Sequence, residues 1–185
     1  MDVLDTGLTM TNVRYIFKSA TTAPRAARDV LAMVLAEELL LPSKTVYLAA
    51  PWVTDIVIFD NSTGSFEGLN PEWSRREIRL IEVLVAIASN NTRLDIRVRP
   101  DPHNKPFGKR LHAALADVGL QDACVWSEIP DFHTKGLLTD RVWIGGSMNF
   151  TERGIGLNAE SLTIDFNPEK VSSIRLEFAN HGTSL

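Results

Sequence analysis

The segment from Phe132 to Glu160 restricts the possible folds of this chain more than any other. In it, His133 and Lys135 alternate with apolar neighbours, which predicts a strand that carries both side chains on one face. After a turn at Asp140-Arg141, the apolar run 142–144 predicts a second strand. A hairpin of this kind would return the chain to the edge of the sheet from which the histidine leaves.

Polar residues follow the second predicted strand, because Gly146-Ser147 and Asn149 come directly after its apolar run. An imidazole, an ammonium, a hydroxyl and a carboxamide at one edge suit attack on a phosphate. They combine a nucleophile or proton carrier with hydrogen-bond donors for the phosphoryl oxygens. Each residue alone has an ordinary structural explanation, since a lone histidine in an apolar strand usually packs and Gly-Gly-Ser usually turns. The order of the whole set therefore carries the interpretation.

These residues resemble the signature of the phospholipase D superfamily, H-x-K-x4-D followed by G-S-x-N. The signature stands here as His133-Thr134-Lys135, Asp140 and Gly146-Ser147-Met148-Asn149. The gap from the aspartate to the Gly-Ser pair runs from Arg141 to Gly145, one residue shorter than is usual in the family. The shorter gap predicts a tighter hairpin and leaves the His-x-Lys pair unchanged.

The resemblance implies an α/β layered fold, with a mixed β-sheet flanked by helices, and cleavage of a phosphodiester through a phosphohistidine. It implies catalytic roles for His133, Lys135, Asn149, Ser147 and Glu160. Lys135 and Asn149 would hold the nonbridging oxygens, and Ser147 would contact the phosphate. We expect Glu160 to accept a hydrogen bond from one ring nitrogen of His133 and so to fix its tautomer. A surface charge at a strand edge is the alternative for Glu160.

Asp140 and Gly146 are expected to be structural members of the motif, because Asp140 lies at the far end of its strand from His133. No metal is predicted, since the histidines and carboxylates lack the spacing of a ligand cluster and lysines would meet the phosphate charge. No cofactor is predicted.

The chain carries one copy of the motif, since none of His103, His112 and His181 begins a second His-x-Lys. The family's chemistry uses two histidines, one on each side of the phosphate. The resemblance therefore implies a homodimer about a two-fold axis, with His133 of one subunit as nucleophile and His133 of the partner subunit as general acid.

Strands alternate with helices along the chain, which predicts an α/β domain with a mixed sheet. Residues 1–44 are expected to form an N-terminal arm and helix, with the first twenty residues as an arm or an added edge strand, and 45–185 the phospholipase D-like domain. Strands are predicted at 45–50, 94–98, 123–126 and 161–166, helices at 24–42, 78–88, 109–118 and 168–180, and a long exposed loop at 61–71.

The charge distribution bears on nucleic-acid binding more than the net charge of −4, which argues weakly against a nonspecific binder. A local basic stretch lies within 93–110. Five of its residues are predicted to contact a nucleic-acid backbone: Arg97, Arg99, Lys105, Lys109 and Arg110. A solvated helix and loop face is the alternative.

The acidic start Met1–Asp5 is unlike a signal peptide, and the apolar runs are too short to span a bilayer. The single cysteine, Cys124, cannot form an internal disulfide, so we expect a cytoplasmic protein that does not enter a membrane.

Three function classes remain open. A DNA nuclease is favoured, because the chain resembles the short single-motif members of the family. These are typically bacterial nucleases, some of them subunits of restriction or phage-defence systems, including a restriction locus linked to DNA modification. A phospholipid hydrolase or transferase is the second class. A non-catalytic subunit that binds DNA or a partner protein is the third.

Overall fold

A computed structural model describes residues 12–181 of the chain. Its strands are β1 (Val13–Lys18), β2 (Thr45–Ala49), β3 (Val57–Asp60), β4 (Glu77–Arg79), β5 (Arg93–Val98), β6 (Cys124–Glu128), β7 (Gly136–Leu138), β8 (Trp143–Gly146) and β9 (Glu160–Asp165). Its helices are α1 (Ala26–Leu40), α2 (Leu80–Ser89), α3 (Lys105–Asp117) and α4 (Pro168–His181). A π-helical turn at Arg153–Leu157 precedes β9.

The main sheet has seven strands in the order β1-β9-β8-β7-β2-β5-β6. The neighbours β2, β5 and β6 run parallel, and the other neighbouring pairs run antiparallel. Parallel neighbours need crossover helices, and α2 and α3 supply them. A separate two-stranded sheet joins β3 to β4. The predicted α/β architecture with a mixed sheet and flanking helices is confirmed.

The larger core lies between one face of the main sheet and α1, α2 and α3. Val46 and Leu48 of β2 point into this core, whereas Tyr47 and Ala49 point to the opposite face. Alternation along a strand sends successive side chains to opposite faces, so β2 contributes to both layers. Helix α2 buries most of its surface, which suits its place between the sheet and the neighbouring helices.

Helix α4 covers the opposite face of the sheet, where Val171 and Phe178 pack on Ala49 and Leu138. The indole of Trp143 lies close to Gly136 of β7 and Gly145 of β8. A Cβ at Gly136 would approach its ring to 2.1 Å, so this position has room only for glycine.

Several predicted element limits differ from the structure. Residues 13–18 form an edge strand, one of the two alternatives for the first twenty residues, while 1–11 lie outside the described residues. Strands β3 and β4 were not predicted, because a strand as short as β4 carries no readable alternation. Helix α3 begins at Lys105 rather than at residue 109.

The segment 61–71 is a loop, as predicted, but it is not fully exposed. The buried Asn61 accepts a hydrogen bond from the backbone of Phe66 at 2.7 Å, and the ring of Phe66 lies 4.6 Å from that of Phe59. A side chain amide and an aromatic ring thus fasten this loop to the core.

Candidate active site

One edge of the main sheet collects the residues of the predicted motif. Gly136, which begins β7, pairs both with Ala49 at the end of β2 and with Gly145 near the end of β8. Residues that precede β7 and residues that follow β8 therefore lie at the same edge, here called the site edge. His133 and Lys135 reach it from one side of the hairpin, and Ser147 and Asn149 from the other.

His133 and Lys135 do not lie on a strand, which corrects the sequence prediction. Side chains bind the carbonyls of Phe132 and His133, whereas the carbonyl of Lys135 accepts a hydrogen bond from the backbone N–H of Gly146 at 3.3 Å. Arg99 Nη2 donates to the Phe132 carbonyl at 3.3 Å, and Lys135 Nζ donates to the His133 carbonyl at 2.9 Å. The preceding residue, Asp131, has a φ of +55° and turns the chain before the histidine.

The imidazole of His133 is exposed and has a defined partner, since Arg99 Nη2 lies 3.0 Å from its Nε2 atom. A guanidinium has only donors, so Nε2 must accept this hydrogen bond. This hydrogen bond therefore requires the tautomer that carries its proton on Nδ1 and its lone pair on Nε2.

Ser147 and Glu160 form a hydrogen-bonded pair at the site edge. The Ser147 hydroxyl donates to the Glu160 carboxylate and accepts from the backbone N–H of Ser161 at 3.0 Å. Asn158 Nδ2 donates to the same carboxylate at 3.3 Å. Glu160 thus lies against Ser147, not against the imidazole as expected, because antiparallel pairing of β8 with β9 continues to Ser147 opposite Ser161, which is the neighbour of Glu160.

Lys18 is a residue of this region that sequence patterns do not reveal. It pairs with Glu160 across β1 and β9, is 2% exposed, and its Nζ atom has no hydrogen-bond partner. Burial lowers the pKa of this ammonium, and the nearby charge of Glu160 opposes the shift. An open cleft of about 440 Å³ adjoins both residues and Ser147.

Asn149 lines a second cleft of about 780 Å³ between the loop after β2 and the π-helical turn. Its Oδ1 atom is buried and has no hydrogen-bond partner. The residues around it are Trp52, Thr54, Asp55, Asp101, His103, Thr151, Glu152, Arg153 and Asn158. Most of these side chains are polar, and the exposed indole of Trp52 is the large apolar group.

The carboxylates of this second cleft have partners. The pairs are Asp55 with Arg110 at 2.7 Å, Asp101 with Trp52 Nε1 at 3.1 Å, and Glu152 with Arg28 at 3.5 Å. The backbone N–H of His103 and the indole N–H hold the pKa of Asp101 below its usual value. Paired carboxylates oppose an incoming phosphate less than free ones would.

Gly146 and Asp140, the predicted structural members of the motif, occupy opposite ends of the hairpin. Gly146 has a φ of +155°, and a Cβ there would lie 2.0 Å from the Ser161 carbonyl oxygen. Asp140 accepts from the backbone N–H of Lys44 at 3.0 Å and pairs with Arg175 at 3.0 Å. It thus joins the hairpin turn to the start of β2 and to α4.

The predicted nucleic-acid contacts do not form one surface. Arg97 is 4% exposed and binds Asp95 at 2.8 Å, so it is not available to a ligand, which corrects its assignment. Arg99 lies at the site edge against His133. Lys105 and Lys109 are exposed on α3, and Arg110 pairs with Asp55.

Within residues 12–181, no cluster of three or more histidine, cysteine or carboxylate side chains is arranged to hold a metal ion. None of the helices in this part of the chain combines the length and apolar character that crossing a bilayer requires.

Comparison with solved structures shows the same fold in proteins of distant sequence. Nuc of Salmonella typhimurium, a phospholipase D family member, matches with a TM-score of 0.55 at 16% identity, over 91% of each chain. NucT of Helicobacter pylori matches with a TM-score of 0.58 at 11% identity, over 91% of this chain and 94% of its own. Phosphatidylserine synthase of Haemophilus influenzae matches with a TM-score of 0.59 at 13% identity, over 91% of this chain and 38% of its own.

No curated protein sequence matches the chain. The family model described as "Cardiolipin synthase, PLD-like domain" matches residues 56–181, which is more than half of the chain and includes the whole His133–Asn149 motif. The chain belongs to the phospholipase D superfamily, as a member with a single motif.

Proposed function

We propose that this protein is a metal-independent phosphodiesterase, a nuclease that cleaves DNA at a site shared by two subunits. The observation that supports the proposal is that strand pairing sets the segment of His133 and Lys135 beside the segment of Ser147 and Asn149 at one edge of the sheet. The hydrogen bond from Arg99 favours the tautomer with its lone pair on His133 Nε2, and in this tautomer Nε2 is the atom that can attack phosphorus.

The proposed reaction has two steps. In the first, His133 Nε2 attacks phosphorus, a phosphorus–nitrogen bond forms, and the ester bond to the leaving oxygen breaks. The leaving oxygen takes a proton from His133 of the partner subunit. In the second step that same imidazole removes a proton from water, the hydroxide attacks phosphorus, and the phosphorus–nitrogen bond breaks. Lys135 and Asn149 of both subunits would stabilise the negative charge on the nonbridging oxygens.

The lining of the cleft beside Asn149 bears on the choice between a nucleic acid and a lipid. It combines hydroxyl, amide and carboxylate side chains with His103, Arg153 and the exposed indole of Trp52. An exposed aromatic ring is a surface on which nucleic-acid bases stack. These features favour a nucleic acid over the phospholipid that a synthase of this fold uses.

A place in restriction or phage defence, as one subunit of a larger complex, also belongs to this proposal. The resemblance of the motif to single-motif bacterial nucleases supports it. Phage resistance that the wild type confers on a bacterial host and His133→Ala does not would support this role, and equal resistance with both would contradict it.

The decisive experiment mixes purified protein with single-stranded and double-stranded DNA in excess EDTA, beside the variants His133→Ala and Lys170→Ala, the latter at an exposed position of α4. We expect the wild type and Lys170→Ala to cleave at similar rates and His133→Ala to be inactive. A labelled phosphoryl group that becomes bound to the wild type and is released by acid would identify the phosphohistidine.

Three outcomes would contradict the proposal in different ways. Activity that EDTA removes and magnesium restores excludes the metal-independent mechanism. Release of a phospholipid headgroup without DNA cleavage assigns the site to lipids. DNA binding without turnover, unchanged in His133→Ala, assigns the fold to a binding role.

A further inference from the structure

We propose that Arg99, which lies over the ring of Trp52, is a further catalytic residue of this site. Before substrate binds, it holds His133 in the tautomer that attacks, and during the reaction its guanidinium binds the phosphoryl group. Arg99 lies outside the H-x-K and G-S-x-N motif. The proposal rests on the proposed phosphodiesterase function and adds a second kind of cation to the lysine of the motif.

The position of the guanidinium indicates where the phosphate would lie. Arg99 Nη2 is 3.0 Å from His133 Nε2. A phosphorus atom poised for attack must lie about 3–3.5 Å from the same nitrogen. The cation therefore occupies or adjoins the place of the scissile phosphate. A shift of the guanidinium from the lone pair to the nonbridging oxygens frees the nucleophile and neutralises the substrate together.

The hydrogen bonds of Arg99 leave capacity for such a ligand. Its Nε atom is buried and has no hydrogen-bond partner, and its bond to the Phe132 carbonyl is long at 3.3 Å. A guanidinium carries a planar fork of donors that matches two phosphate oxygens. An oxyanion would give this donor a partner once the guanidinium shifts toward the phosphate.

Hydrogen bonds to Asp101 and from Asn104 hold the Trp52 ring and the backbone of Arg99 in place. The guanidinium carbon lies 5.7 Å from the centre of the Trp52 ring, and the indole N–H donates to Asp101 at 3.1 Å. Asn104 Nδ2 binds the Arg99 carbonyl at 2.8 Å and the Pro51 carbonyl at 2.9 Å. Donors held in place before the reaction stabilise a developing charge without a cost of reorganisation.

The kinetic test compares Arg99→Ala and Arg99→Lys with Lys170→Ala, which removes an exposed cation of α4 that has no assigned role in the site. We expect Arg99→Ala to lower the single-turnover rate by about 100-fold or more, as loss of a transition-state donor does, with much smaller loss of DNA affinity. Arg99→Lys keeps the charge but lacks the fork, so it should restore only part of the rate. Lys170→Ala should cleave at the wild-type rate.

A second readout does not depend on turnover. Nitrogen-15 NMR of His133 should find Nε2 unprotonated and hydrogen-bonded in the wild type, and inorganic phosphate should release that bond. In Arg99→Ala, His133 should lose its preference for the tautomer with an unprotonated Nε2. Inorganic phosphate should also bind more weakly. Thermal unfolding of each variant checks that it remains folded, and Arg99→Lys serves where Arg99→Ala does not fold.

Two results would overturn the inference. An Arg99→Lys or Arg99→Ala variant that cleaves at the wild-type rate shows that the guanidinium only packs on Trp52. An unchanged His133 tautomer and unchanged phosphate binding lead to the same conclusion. A wild type that cleaves no phosphodiester, yet shows the expected tautomer and phosphate response, disproves the proposed function and leaves Arg99 as an anion ligand.

Discussion

Cys124 illustrates how burial sets the chemistry of a single side chain. It begins β6 at the edge of the main sheet, where burial raises the pKa of its thiol to about 12 and the charge of Asp95 adds to the shift. Because the reactive form is the thiolate, this thiol is inert near neutral pH.

We predict that thiol reagents label Cys124 slowly in the native protein at pH 8 and rapidly in urea. The folded pKa of about 12 lies above the ordinary value of 9.0, so the thiol ionises first in the unfolded chain. The contribution of Cys124 to stability is therefore complete below the unfolded pKa and is lost as pH rises from there toward the folded value. Urea unfolding at neutral and alkaline pH should show that the free energy of unfolding falls more for the wild type than for Cys124→Ala as the pH rises. Fast labelling of the folded protein would contradict this account.

At the scale of elements, the positions of β5 and α4 give two nearby arginines different roles. Arg97 is structural, and Arg99 lies at the site edge. Arg97 and Arg99 leave the same face of the chain, two residues apart. Phe178 of α4 covers Arg97, with its ring centre 5.1 Å from the guanidinium carbon, whereas Arg99 lies past the end of β5 and reaches His133. The end of a strand and the reach of one helix thus decide which cation meets a ligand.

We predict that Arg97→Ala destabilises the protein by roughly 3 kcal/mol, because it leaves the largely buried Asp95 unpaired. The salt dependence of DNA binding should stay unchanged, since Arg97 faces α4. Lys105→Ala is the matched control, with a stability change within about 0.5 kcal/mol and a salt slope reduced by about one unit if it contacts a phosphate. Denaturant unfolding and binding titrations across salt measure the two effects. A weakened salt slope in a stable Arg97→Ala variant would contradict the burial argument.

At the scale of the whole molecule, the chain has one motif, so the proposed reaction, which uses two histidines, requires two subunits. Each shared site would contain His133 from one protomer and His133 of the partner subunit, in an isologous arrangement. The imidazole of His133 is exposed, so it is accessible to a partner chain. Its replacement by alanine should leave the core unchanged.

We predict that a purified heterodimer of wild type and His133→Ala is inactive, because each of its shared sites lacks one imidazole. The experiment isolates the heterodimer with two different affinity tags and measures DNA cleavage in EDTA. A His133→Ala homodimer of normal mass checks that assembly survives the substitution. Half of the wild-type activity in the heterodimer would show that each chain acts alone, as would a strictly monomeric active protein.

The sequence by itself determined the elements whose signals are local. Alternating apolar residues, proline positions and apolar runs located β2, β5, β9, α1 and α4 to within a few residues. The order of residues in the motif led to the superfamily and to the site edge. The short strand β4 could not be predicted from the sequence. Its three residues are too few to show an alternating pattern, and they pair with β3 across a long loop.

Only the tertiary structure decided which polar side chains share a partner. Arg99 meets His133, Lys18 faces Glu160, and Asn104 fastens the loop after β2, through contacts between segments far apart in sequence. Such contacts depend on strand order and register, which no local pattern encodes. The sequence prediction for Glu160 differs from the structure for the same reason. Glu160 was expected beside the imidazole of His133, but its carboxylate accepts a hydrogen bond from Ser147. Residue types fix what chemistry is possible, and the packing of β1, β5, β8 and β9 fixes which groups carry it out.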